Sequence, residues 1–475
     1  MSSALATFVY VIGILGLFKL ARNLQVHTSK ALWIPVIWFS IGASRMVSQW
    51  LNIAPPTKPD DYFEGSPLDR VVFSALLAIG LIVLFSRKRR VASILRTNWP
   101  IVLFVAYCAV SIVWSDFPVV AFKRWIKDLG DLTMVLVVLT DWDPSAAFQR
   151  LLGRAGFVLV PVSILLIKYY PALGRGYHPW TWTPFYIGAA GGKNELGLLC
   201  VIFGTASLWH FFGARGQTEE ARRGRLIAHG VILVMALWLF WMADSVTSWS
   251  CFFMAAGFIA ATSLGALNRK PVMAHLLVAA MLCVSFCAVF LDFGSGVIES
   301  MGRDPTLTGR TELWSRVLGM AGNSLVGTGF ESFWLGPRME ELWRIYWWHP
   351  NEAHNGYLEV YLNLGWLGVA LLALLLITGY RNAIAAFRAD RETGTLRLAY
   401  FVVAITYNFT ESGIRIMHPM WIILLFSIMA VPRASIPEED FQFGSTEADQ
   451  FAEPEAELDY VTPHRAYTRV GRGSV

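Results

Sequence analysis

The chain has 475 residues, of which 55% are hydrophobic and only 15% are charged, and its mean hydropathy is +0.49. That composition excludes an ordinary soluble globular domain and marks an integral membrane protein. The formal net charge of +5 is small and its basic residues fall in short clusters between apolar runs, which speaks for membrane topology and against a nucleic-acid partner.

In chain order, the first apolar run covers residues 4–21 and carries Lys19 and Arg22 on its C-terminal side. That is the wrong polarity for a cleavable signal, so it reads as a first span. Further runs follow at 31–48, 70–86, 98–115, 119–140, 152–170, 194–213, 226–243, 249–267, 273–292, 356–379, 396–413 and 416–432. Each is near the roughly 20 residues that a hydrocarbon core requires, and helices are the spanning form that satisfies such a backbone in lipid. The expected fold is therefore an all-α polytopic membrane protein with about 12–13 transmembrane helices.

Positive clusters at 87–90 (RKRR), 221–225 (ARRGR), 268–270 (NRK) and 381–397 alternate with the spans and belong on the cytoplasmic side. The same alternation sends 46–69, 114–119, 171–193, 244–248 and the long 293–355 loop to the opposite face, the periplasm of a double-membrane bacterium. The chain divides into an N-terminal helix bundle (1–292), a long periplasmic loop (293–355), C-terminal transmembrane helices (356–433) and a tail (434–475). The tail is acidic and poor in branched apolar residues, a composition expected to be disordered and cytoplasmic. Its five cysteines, Cys108, Cys200, Cys251, Cys283 and Cys287, all lie in apolar runs, so neither a disulfide framework nor a thiolate metal site is expected.

Cations crowd the extracytoplasmic ends and loops, among them Arg45, Lys123, Arg124, Lys127, Arg175, Lys193, Arg303, Arg310 and Arg338. Ion-coupled transporters keep their ionisable groups near the bilayer midplane; here the site is expected at the membrane surface. Guanidinium groups match phosphate oxygens, so a lipid-linked phosphate or pyrophosphate is the ligand this pattern suits. In TLTGRTELW (306–314), Gly309 permits a tight turn that brings Arg310 near a ligand, or else Arg310 pairs with Glu312 or Glu331. GRGYHPW and GGKNELG (174–197) supply Arg175 and Lys193, with Asn194 placed to cap the next helix; the alternative is an interfacial anchor with Trp180 and Trp182 in the aromatic belt. SDFPVVAFKRWIKDLGD (115–131) brings Arg124 to the start of a span, and ADSVTSWS (243–250) sets Ser245, Thr247 and Ser248 at another helix boundary as caps or ligand contacts. Of two histidines in WWHPNEAHNGYLEVY, His349 precedes proline and reads as scaffold. His354 opens a helix that Asn355 caps, with Tyr357 close by, and is the candidate catalyst.

These motifs, WSDFPVVAFKR, LGRGY, GGKNELG, DSVTS, DPTLTGRTELW, LVGTGFESFW and HNGYLEVYLNLGWLG, resemble in this order the bacterial O-antigen ligase and polysaccharide polymerase superfamily, over roughly residues 98–380. The resemblance implies a glycosyltransferase C-like membrane fold with a lid-like periplasmic loop. It also implies glycosyl transfer from an undecaprenyl-pyrophosphate-linked glycan without metal, nucleotide or other cofactor, with inversion at the anomeric carbon. Implied surroundings are the bacterial inner membrane, its lipid and other polysaccharide assembly proteins. By the same resemblance Arg310 corresponds to the arginine that holds pyrophosphate and His354 to the histidine at the acceptor hydroxyl. Arg124, Arg175, Lys193, Asn194, Ser245, Thr247, Asn355 and Tyr357 are the substrate-binding candidates, and Glu352 and Glu359 rival His354 as base. Ligases commonly carry an arginine in the serine-threonine motif where this chain has Val246, so the expectation leans to an exopolysaccharide or O-antigen polymerase. A ligase transferring to lipid A core, and a flippase of lipid-linked sugars, remain the alternatives.

Overall fold

A computed structural model describes residues 1–22, 28–53, 63, 65–178, 181–213, 219–263, 271–291 and 310–432. Trp180, the whole 293–309 stretch with Arg303 and Gly309, and the 434–475 tail lie outside the described residues. Every apolar run read from the sequence holds a helix. In chain order these are α1 (Ser3–Leu20), α2 (Trp33–Gly42), α3 (Pro67–Ser86), α4 (Lys88–Thr97), α5 (Trp99–Val110), α6 (Pro118–Leu139), α7 (Pro144–Tyr169) and α8 (Lys193–Phe212). They continue with α9 (Glu219–Ala243), α10 (Val246–Ser263), α11 (Pro271–Phe290), α12 (Arg310–Gly319), α13 (Pro337–Ile345), α14 (Gly356–Ala389), α15 (Arg391–Thr410) and α16 (Pro419–Ile428). The protein is thus an all-α polytopic membrane protein, with one short antiparallel hairpin among the described residues, Arg175–Tyr177 against Pro184–Tyr186.

Eight described helices are long and apolar enough to cross a bilayer unaided, and the α4/α5 pair, bent by 90°, is apolar enough to form a broken span or a re-entrant loop. The other runs depart from a simple span for physical reasons. Helices α2 and α16 have only 10 residues each, too short for the roughly 30 Å core, while α6 carries Lys123, Arg124, Lys127, Asp128 and Asp131, and α15 opens on Arg391 and Glu392, followed by Arg397. Burial separates two classes: α7 and α8 have 72% and 78% of their apolar windows buried, against 11% for α1 and 17% for α3 and α11. The first class forms the protein core and the second faces lipid.

Buried polar links tie the elements around the site. Asp131 on α6 accepts from the Trp38 indole of α2 at 2.7 Å and from the Met417 amide at 2.7 Å, so one carboxylate clamps three segments. Asp128 and Asp131 are both buried in α6, where hydrogen bonding makes a carboxylate tolerable.

Helix α14 breaks at Gly365, where φ is +64°. The freed amides of Trp366 and Leu367 donate to the carbonyls of Ser324 and Leu325 at 2.9 and 3.1 Å, which anchors the 323–327 turn. A Cβ at Gly365 would stand 2.3 Å from the Leu325 carbonyl. Gly365→Ala is therefore expected to destabilise the fold by about 1–3 kcal/mol from backbone strain alone, seen as a lowered thermal midpoint in detergent; an unchanged midpoint would sink this account. Before the break, α12 and α13 pack on the first turns of α14 through a small second core of Leu313, Val317, Phe333, Trp334, Leu342 and Leu362.

Candidate active site

A cleft of about 1550 Å³ opens among the described helices. Trp38, Phe73, Leu77, Phe122 and Ile126, from α2, α3 and α6, line one part of it with apolar side chains. Lys193, Asn194, Glu195, Glu352, His354 and Arg415 furnish the polar part. An apolar wall beside a few convergent polar groups is the usual form of a ligand site.

At its polar end, Glu411 follows the last turn of α15 and is buried. Its Oε1 accepts from an Arg310 guanidinium N–H at 2.9 Å and from the Asn194 amide at 3.0 Å, and its Oε2 lies 3.2 Å from His354 Nδ1. Arg310 also donates to the Thr410 carbonyl. The same nitrogen, His354 Nδ1, also lies 2.9 Å from Glu352 Oε1, and the second Glu352 oxygen accepts from Arg415. The result is a continuous chain, Arg310–Glu411–His354–Glu352–Arg415, drawn from three separate segments. His354 itself sits at φ +51°, a left-handed conformation unusual for a side-chain-bearing residue, of the kind that clusters at functional sites.

The charges follow from this geometry. Burial disfavours the imidazolium, but the hydrogen bonds and charges of Glu352 and Glu411 outweigh it and raise the His354 pKa to about 9. Burial works against the Glu352 carboxylate too, yet His354 and Arg415 hold it well below the ordinary carboxylate range. Nearby His418 is pushed down by burial and by Arg415 to about 4 and is neutral. At neutral pH the cluster is therefore an imidazolium held between two carboxylates.

Glu352, His354 and Glu411 also bring three potential metal-ligand atoms within 4.8 Å of one another. A cation there would have to displace the proton of Nδ1 and compete with Arg310 and Arg415 for the same oxygens. The donor set fits a protonated histidine better than a metal.

Of the residues picked out in the sequence, Arg124, Lys193, Asn194 and His354 line the cleft. Asn194 does so as a donor to Glu411 rather than as a helix cap, since α8 begins at Lys193 with Gly192 before it. Asn355 does cap α14, its Oδ1 accepting from Tyr357 and Leu358 at 3.1 and 3.0 Å. Tyr357 turns away and donates to the Ile405 carbonyl at 3.0 Å. Arg310 stands behind Glu411, outside the cleft lining. Thr247 meets Thr410 at 3.1 Å, beneath Glu411, and Ser245 bonds to Ser248. Arg175 donates to the Ile167 carbonyl and lies over Tyr186, and Arg45 is consumed by the carbonyls of Leu173, Gly188 and Ala190. Both hold the hairpin loop. His349 stacks on Trp343 at 4.4 Å. Glu359 accepts from Trp334 and the Ala353 amide and does not line the cleft.

Glu411 and Arg415 escaped the sequence reading. Both lie in NFTESGIRIMHP (408–419), a link so short that it merges with the apolar runs on either side. The available signal was an acid and a base next to Gly413, between two helix-length apolar segments.

A family profile described as O-antigen ligase matches residues 221–373, which include Arg310 and His354. The chain is also 27% identical, over 290 residues, to a protein of Rhizobium meliloti (strain 1021) described as "Exopolysaccharide production protein ExoQ". Over residues 221–373 this chain is similar to the O-antigen ligases. The match covers 58% of this chain and 63% of that relative, less than two thirds of its length. Glu411 and Arg415 lie beyond the O-antigen ligase match.

Proposed function

We propose that this protein is a glycosyltransferase that polymerises lipid-linked repeat units of an exopolysaccharide or O-antigen at the periplasmic face of the bacterial inner membrane. The observation that carries the reading is the meeting, in one cleft, of an apolar wall suited to a polyprenyl chain, cations suited to pyrophosphate, and the His354–Glu411 pair. The described relative's connection with exopolysaccharide production agrees with a polymerising role. The cleft's cations, Arg70, Lys123, Arg124, Lys127, Lys193 and Arg415, outnumber its acids, Asp69, Glu195, Glu352 and Glu411, which favours an anionic leaving group.

In this reaction the acceptor hydroxyl oxygen bonds to the anomeric carbon of the donor sugar. The bond from that carbon to the pyrophosphate oxygen breaks, its electron pair leaves with undecaprenyl pyrophosphate, and the configuration inverts. The hydroxyl proton passes to the Glu411 carboxylate. His354, protonated to about pH 9, orients the hydroxyl and steadies developing charge; it does not begin as the base. Leaving-group charge is met by arginine and lysine without a metal.

The test is reconstitution with a lipid-linked repeat unit, comparing the unaltered protein with Arg310→Ala and His354→Ala. Elongated lipid-linked glycan is the expected product, with each variant slower by about 100-fold. Transfer to lipid A core would assign a ligase, movement of the lipid-linked sugar without transfer would assign a flippase, and full activity in both variants would remove these residues from the site.

A further inference from the structure

A second, smaller cavity of about 270 Å³ lies behind the cleft, among α6, the 330–339 stretch, the start of α14 and the start of α16. Arg124, Lys127, Asn351 and Arg415 line both cavities and form the seam between them. The charge of the smaller one is balanced: Asp128, Glu331 and Glu359 face Arg124, Lys127 and Arg415. The cleft, by contrast, has a cationic excess. Phe330, Trp334 and Trp421 supply aromatic surface to the small cavity.

Balanced donors and acceptors beside indole rings suit a neutral polyol rather than a phosphate. Hydroxyls can bond to carboxylates, amide and guanidinium at once, and the C–H faces of a sugar ring pack against the electron-rich faces of indoles. The loop is also built to present these groups. Gly329 has φ +93° with a Cβ position 2.5 Å from Ser115, and Glu331 is held at φ +52°. Asn363 Oδ1 accepts from the amides of Ser332 and Phe333 at 2.9 and 3.0 Å, and the Trp334 indole is pinned to Glu359 at 2.8 Å. Such strain persists where the surroundings over-determine it, often at ligand clamps.

We propose that this small cavity is the subsite for a neutral sugar ring of the acceptor glycan, which reaches past Arg415 and Asn351 to present its hydroxyl in the cleft. The proposal rests on the glycosyl-transfer reading above. A displacement with inversion needs acceptor and leaving group on opposite sides of the anomeric carbon, and two cavities meeting at one seam provide two such approaches.

The experiment uses the full chain in nanodiscs and two probes: inorganic pyrophosphate, and the oligosaccharide repeat unit released by mild acid from the host's own lipid-linked precursor. Binding of each is measured by calorimetry, for the unaltered protein, the isosteric Asp128→Asn and Glu331→Gln, the cavity-filling Val360→Phe, and Lys193→Ala. The expected result is that the three cavity variants weaken oligosaccharide binding at least about tenfold and leave pyrophosphate binding within about twofold, while Lys193→Ala does the reverse. Oligosaccharide binding that is absent from the unaltered protein, or unchanged in all three cavity variants, overturns the proposal. A parallel elongation assay separates the two claims: elongation unaffected by Asp128→Asn, Glu331→Gln and Val360→Phe defeats the subsite and leaves the reaction standing. No elongation by the unaltered protein, with oligosaccharide still bound in the small cavity, defeats the reaction reading instead.

Discussion

Glu411→Gln is expected to reduce glycan elongation by at least about 100-fold, the largest effect of any isosteric change in the site. Three donors converge on this one buried carboxylate: Arg310 at 2.9 Å, Asn194 at 3.0 Å and His354 at 3.2 Å. A glutamine keeps the shape but removes the charge and turns one acceptor into an NH₂ group that confronts these donors. Removing one partner of a buried ion pair typically costs about 3–5 kcal/mol, because the remaining charge is left uncompensated. Glu411→Gln should therefore also lower the thermal midpoint. Activity and folding are separated by Arg310→Ala/Glu411→Gln: if the pair acts as a unit, the double variant should be little slower than the worse single one. A Glu411→Gln protein that folds normally and elongates within threefold of the unaltered rate would show that the carboxylate is not the hub of the site.

The second large effect concerns pH. His354 keeps its proton to about pH 9, against about 6.5 for an unperturbed histidine, because Glu352 and Glu411 favour the imidazolium. A reaction needing the imidazolium should then be level through neutral pH and fall as pH rises through about 9. Glu352→Gln removes a carboxylate 2.9 Å from Nδ1. The folded-state pKa of His354 should drop, and the alkaline limb of the rate profile should move down by at least about one pH unit, equivalent to about 1.4 kcal/mol. At pH 8.5 that lowers the rate several-fold, while at pH 6 the loss is smaller. The measurement is the rate of elongation across pH 5.5–10 for both proteins, and superimposable profiles would mean that His354 does not act as a cation.

Much of the architecture was legible because membrane helices are encoded locally. Lipid offers the backbone no partners, so each apolar run had to be helical, and all of those read from the sequence are. The Asn355 cap was legible for the same reason, since it serves the amides of Tyr357 and Leu358 in the turn that follows, a purely local contact; Asn194, expected as a cap, is drawn to the distant Glu411 instead. What a run does in three dimensions was not legible. The brevity of α2 and α16, the 90° bend between α4 and α5 and the break at Gly365 depend on which segment lies alongside.

The site divides in the same way. Composition determined that this is a polytopic membrane protein, and motif order singled out His354 and Arg310. The tertiary structure decided which cations are spent on the protein itself. Arg45 and Arg175 satisfy carbonyls that no helix or sheet would otherwise pair, a demand invisible until the hairpin loop is folded. It also brought Glu411, 57 residues downstream of His354, to 3.2 Å from the imidazole, and Arg415 onto the far oxygen of Glu352. A hydrogen bond is a short-range contact between groups that can lie anywhere in the chain. The identity of the helix-forming segments is therefore written locally, whereas the charge state of His354 exists only once α14 and α15 have packed.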